Sequence, residues 1–175
     1  MTIETMLLVN IILHGFIYAF IVTAYLLFIM IKFGPRIWAY SDYPKAIKDA
    51  VPPQTKKEKK IAAILGLPFF IITLSIPFIS TLILKTQLGG EISLLFAFLN
   101  TFGVAIFANI ADLVILDWLI VGTITPQFVI LPGTEHMKNK EYKDFKCSHV
   151  KGHITVGIPI TAILSLIIAI IVVIL

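Results

Sequence analysis

Between Met6 and Ile31 the chain runs 26 residues without a formal charge, and further apolar stretches follow at about 61–84, 92–116 and 154–175. About 20 apolar residues suffice to cross a hydrocarbon layer ~30 Å thick as a helix, whereas a buried core helix rarely needs more than about 14. In lipid, every backbone N–H and C=O must find a partner within the protein, so such runs cross as helices. A mean hydropathy of +0.98, with 58% hydrophobic and 14% charged residues in 175, fits no soluble domain of this size. The expected fold is all-α: a polytopic integral membrane protein, one domain over 1–175, with four transmembrane helices and two long cytoplasmic loops at about 32–60 and 125–153. The opening MTIETMLL has no basic n-region, so the first span is expected to be a retained helix rather than a signal peptide.

Charge sets the expected sense of insertion. Thirteen of the fourteen Lys and Arg residues fall in the two long loops, and one falls in the short connection Lys85–Glu91. The positive-inside rule then places both long loops in the cytoplasm and both termini outside a cell membrane. The net charge of +4 does not argue for nucleic acid, because these cations sit beside spans, where anionic lipid headgroups are the natural partners. Cys147 is the only cysteine, which excludes an intrachain disulfide.

Polar residues inside the spans mark the faces expected to meet protein. At about 100° per residue, Asn10, His14, Tyr18 and Tyr25 share one stripe of the first helix. A neutral His14 bonded across helices is the expected role. Haem would want a second histidine at similar depth, and no other span supplies one. In the second span Gly66, Thr73, Pro77 and Ser80 share a face, with Pro68 and Pro77 as kink sites. In the third, Ala97, Thr101, Ala105, Ala108 and Asp112 form a stripe with Asn109 at its edge, while Asp117 falls on another side. That third stretch, Ile92–Thr125, is about 50 Å of helix. It should therefore project from the membrane or break near Asp112. Gly157, Thr161 and Ser165 line one face of the fourth span.

The loops carry local signals of their own. Gly34-Pro35 ends the first helix, and Trp38, Tyr40 and Tyr43 suit the headgroup region. Pro44 opens a short helix with Ile47 and Val51 on one face, stopped by Pro52-Pro53. Thr55-Lys56-Lys57-Glu58 reads as a capping box that starts the second span early. Gly89-Gly90 turns the third span antiparallel. The apolar strip PQFVILPG, starting at Pro126, is too short to span: it is expected to be interfacial, re-entrant or packed against the bundle.

Intramembrane ionisable residues cost roughly 2.5–3.5 kcal/mol on insertion scales, so Asp112 and Asp117 are the first places to look for function. With the expected topology they approach the same face as His149 and His153, an i, i+4 pair. Carboxylate with imidazole suits a divalent metal such as Zn²⁺, Mn²⁺ or Fe²⁺, with Cys147, His136 and Glu135 as nearby further ligands. Gly152 stands between the two histidines and could interrupt their helix. No H-E-x-x-H, paired C-x-x-C, G-x-S-x-G, Walker loop or G-x-G-x-x-G is present, so no catalytic residue is assigned. The sequence favours a non-enzymatic transport component or an assembly or accessory subunit, which could form a homo-oligomer or join a partner membrane subunit. The alternatives are a metal-dependent membrane enzyme at the cytoplasmic interface and a membrane-surface recruiter of a cytosolic partner.

Overall fold

The computed structural model describes residues 2–175, apart from the side chain of Ser148. Helix α1 covers Ile3–Phe33, α2 Lys45–Asp49, α3 Lys56–Gln87 and α4 Leu94–Ala111. At Asp112 the third long helix changes winding and continues as a π-helix to Ile124. Short 3₁₀ turns follow at Gln127–Val129 and Glu135–Met137. The last long helix consists of α5 (Phe145–Gly152), a π-helical stretch His153–Gly157 and α6 (Ile158–Ile174). There is no strand among the described residues. Four helices are long and apolar enough to cross a membrane: Ile3–Phe33, Lys56–Gln87, Leu94–Ile124 and Phe145–Ile174. The chain is an all-α multi-pass membrane protein, as its apolar runs require.

The helices outrun the apolar spans. The fourth begins at Phe145, nine residues before the apolar run at 154, so the second loop is shorter than its polar sequence suggests. The change of winding at Gly152–His153 is where Gly152 was expected to interrupt that helix. Thr55 caps α3 as its sequence predicts. The Glu58 N–H donates to Thr55 Oγ1 at 3.2 Å, and the Thr55 N–H donates back to Glu58 Oε2 at 2.7 Å. The short helix opened by Pro44 forms too, with Ile47 fully buried.

Two compact units contain most of the packing. The first comprises Met1–Val22, Phe70–Ile110 and His153–Leu175. Lipid tails are as apolar as leucine, so helices in a bilayer associate through close packing and interhelical hydrogen bonds. This unit uses both. A Cβ placed on Gly15 would lie 2.6 Å from the Phe107 ring, and one on Gly103 would lie 2.9 Å from Ile11 Cδ1. The small residues Ala97, Ala108, Ser165 and Ala169 are buried, and Leu84, Ile92, Ile168 and Val172 complete an apolar cluster. Leu13, Phe16, Ile17 and Phe20 of α1 are exposed, on faces suited to lipid. Lys85 closes one helix end by donating its ammonium to the Val172 carbonyl at 3.0 Å.

The second unit comprises Thr23–Phe69 and Ala111–Gly152. Here the loops fold onto each other. Tyr43, Ile47 and Val51 from the first loop share a core with Val121, Val129, Ile130, Leu131, Met137, Tyr142 and Phe145. The strip after Pro126 is thus a buried segment, one of the three placements its sequence allowed. Its backbone polar groups need partners there, and two tyrosines provide them. The Tyr43 hydroxyl donates to the Val129 carbonyl. The Leu131 N–H donates to the Tyr142 hydroxyl at 2.8 Å, which also bonds Thr134 Oγ1 at 2.7 Å. The π-helix ends where Thr125 turns left-handed, φ 47°, just ahead of Pro126, which disfavours helix in the residue before it. Thr125 holds that turn by donating its hydroxyl to the Val121 carbonyl at 2.7 Å. Arg36 joins the start of the first loop to α3 through both oxygens of Glu58, at 2.7 and 3.1 Å, and reaches the Pro52 and Pro53 carbonyls.

Candidate functional site

The first unit contains a polar network built from three helices. Asn10 of α1 donates its amide to Ser80 Oγ of α3 at 2.8 Å and to Asn100 Oδ1 of α4 at 2.8 Å. Asn100 donates in turn to Ser80 Oγ at 3.2 Å and Thr81 Oγ1 at 3.0 Å. The Thr81 and Thr101 hydroxyls lie 2.9 Å apart, and each is also within reach of a carbonyl of its own helix, so one of them donates across and the other donates back to its helix. Asn10, Ser80, Thr81, Asn100 and Thr101 are all buried. His14, half-buried, meets Ser80 Oγ with Nδ1 at 3.0 Å, the cross-helix role expected of it.

The other stripe residues have distinct fates. Tyr18 is buried, while Tyr25, in the second unit, donates to the Leu65 carbonyl at 2.6 Å. Asn109 Oδ1 accepts from His153 Nδ1–H at 2.7 Å, and the Asn109 amide N–H donates to Thr161 Oγ1 at 3.5 Å. Gly157 makes room for it, since a Cβ there would stand 3.2 Å from Asn109 Nδ2. Thr81 and Asn100 join this network from outside the stripes read from the sequence, each one position away from a stripe residue, Ser80 and Thr101.

The second unit contains the titratable site. His149 Nδ1 lies 2.7 Å from Asp117 Oδ2, and its Nε2 lies 3.1 Å from the Asp42 carbonyl. The Phe145 ring stacks on the imidazole at 3.7 Å between centroids. Asp117, which lies off the Ala97–Asp112 stripe, is buried in this second unit against His149. From Asp112 onward the helix is bonded in the wider i→i+5 pattern, which carries residues five apart closer to one line than an α-helix does. The Thr123 hydroxyl, donating five residues back to the Trp118 carbonyl at 2.6 Å, follows the same pitch. Asp117 supplies the carboxylate that meets His149, and Asp112 is half-buried at the start of the π segment.

The hydrogen bonds define what this pair can do. A backbone carbonyl only accepts, so Nε2 carries a proton toward Asp42. A 2.7 Å approach of the other ring nitrogen to a carboxylate oxygen holds a second proton between them. In this hydrogen-bonded state both ring nitrogens carry protons, and a divalent cation at Asp117 and His149 would take the place of the proton between them. Cys147 and His136 are exposed, and Glu135 spends its carboxylate on the Gly133 N–H at 3.0 Å. These backbone N–H bonds hold the Glu135 carboxyl below its ordinary value.

Burial pushes the phenols of Tyr43 and Tyr142 above their usual ionisation range, so both stay protonated as donors across neutral pH. No family model, no curated protein and no solved structure matches this chain.

Proposed function

We propose that the protein is a non-enzymatic membrane subunit, an assembly or accessory component whose intramembrane polar residues serve helix association. One observation carries this reading: Asn10, Ser80, Asn100, Thr81 and Thr101 bond to one another across three helices. Buried amides bound in this way hold register between helices; a residue working on a passing substrate would present an open face instead. The Asp117–His149 pair supports the same reading, because its protons are engaged with acceptors of the protein itself. The aromatic residues of the loops also favour it over recruitment of a cytosolic partner, since Tyr43, Tyr142 and Phe145 are spent on the core. In the orientation that the loop charges support, the protein lies in the cell membrane with both termini outside and the basic loops in the cytoplasm.

The test is extraction from native membranes in mild detergent, followed by light scattering and elemental analysis. An assembly larger than one 19.5 kDa chain is the expected result. A monodisperse monomer would overturn the reading. So would a stoichiometric transition metal that is lost in Asp117→Ala.

A further inference from the structure

The start of α3 carries Lys56, Lys57, Lys59 and Lys60, all exposed, with Glu58 as the one acid among them. At about 100° per residue the four lysines fan across roughly 160° of the helix, and Glu58 points from the opposite side. The structure shows what occupies that opposite side. Both Glu58 oxygens are taken by Arg36, and Arg36 is itself anchored to the Pro52 and Pro53 carbonyls. The one negative charge in the run is therefore neutralised internally, and the arginine is removed from the free basic surface. What is left is a one-sided fan of four ammonium groups on a helix that then runs apolar from Ile61.

Four like charges within two turns repel one another, and near a helix start they also oppose the macrodipole. The arrangement is stabilised by a dense array of negative charge at the level where an apolar span leaves the bilayer. Lysine stems are long enough to lie along apolar surface while the ammonium reaches the headgroup layer. A cluster of basic residues beside a span matches anionic phospholipid in both charge and position.

We infer that Lys56, Lys57, Lys59 and Lys60 form a binding surface for anionic phospholipid headgroups, with the Arg36–Glu58 pair as the brace that keeps the fan one-sided. This surface does not depend on whether the protein is an accessory subunit.

The experiment uses full-length protein in detergent, with phosphatidylglycerol or phosphatidylcholine added, and reads lipid retention by native mass spectrometry beside the thermal midpoint. Wild type should retain phosphatidylglycerol selectively and gain thermal stability from it. The variant K56Q/K57Q/K59Q/K60Q should lose that selectivity, by about fivefold per lysine removed, while its midpoint in phosphatidylcholine stays at or above the wild-type value. The control K138Q/K140Q/K143Q/K151Q, in the second loop and α5, should keep it. Selectivity retained in the first variant, or lost equally in both, overturns the assignment. An equal midpoint shift from inorganic phosphate alone, or from an RNA oligonucleotide, would also overturn it by identifying a general anion surface.

Discussion

Asn10 and Asn100, ninety residues apart, meet side chain to side chain at 2.8 Å inside the first unit, and both also reach Ser80 Oγ. Each amide depends on the other two residues for its partners. Replacing Asn100 with alanine would leave the Asn10 amide and the Thr81 hydroxyl short of a partner. A buried polar group left unsatisfied costs roughly 1–3 kcal/mol, and hydrogen bonds between membrane helices average about 0.6 kcal/mol in double-mutant cycles. A loss of about 1–2 kcal/mol is therefore expected for Asn100→Ala in detergent unfolding. The lipid-side control Leu99→Ala should lose less. Equal losses would show that the network is not what holds these helices.

The two ring nitrogens of His149 predict a doubly protonated imidazole at neutral pH. Nitrogen chemical shifts of labelled histidine would report it directly. Asp117→Ala removes the carboxylate and leaves the ring facing an empty acceptor position. The pair keeps some solvent contact, 17% and 10% of its side chains, so the expected loss is about 1–3 kcal/mol, below the range for fully buried pairs. A double-mutant cycle with His149→Gln should give a coupling of more than about 0.5 kcal/mol. Additive single-mutant effects would remove the pair from the account.

Tyr43 predicts an alkaline signature. Its folded-state ionisation lies above the ordinary value of 10.0, because burial disfavours the phenolate and Tyr142 stands beside it. The folded state thus holds the proton more tightly than the unfolded chain. The stability this provides is complete below about pH 10 and is lost as pH climbs toward the folded-state value. Tyr43→Phe should cost about 1 kcal/mol at pH 7 through the lost bond to the Val129 carbonyl. It should also flatten the fall in stability above pH 10, leaving the share that belongs to Tyr142. Parallel curves for wild type and variant between pH 9 and 11 would refute the linkage.

Glycines sort by what surrounds them. Gly15→Ala drives a methyl group into the Phe107 ring and should cost about 1–3 kcal/mol. Gly66 of α3 has nothing within 4 Å of an added Cβ, so Gly66→Ala should stabilise by up to about 1 kcal/mol through helix propensity. Thermal midpoints of the two variants should move in opposite directions, and movement in the same direction would count against the packing of α1 on Phe107.

Orientation has its own test. In a Cys147→Ser background, Leu88→Cys should react with a membrane-impermeant thiol reagent in intact cells, whereas Lys56→Cys and Lys143→Cys should react only after lysis. The reverse pattern would invert the proposed topology.

The sequence by itself determined the four spans, because the length of an apolar run against bilayer thickness leaves the backbone one way to satisfy its hydrogen bonds. It also determined the Thr55–Glu58 cap, the short helix after Pro44 and the protein-facing role of Asn10, His14 and Thr101, since each rests on spacing within a few residues. Only the tertiary structure decided that Asp117 meets His149. The two are 32 residues apart, on different long helices, and no local residue pattern announces either that contact or the i→i+5 winding that begins at Asp112. The same holds for the strip after Pro126: its apolar character suits lipid, interface and core alike. What selects the core is the pair of tyrosine hydroxyls, brought from Tyr43 and Tyr142, that satisfy its backbone. Periodicity fixes which face a residue takes on a known helix, whereas a change of helical pitch or a partner eighty residues away is settled by the fold as a whole.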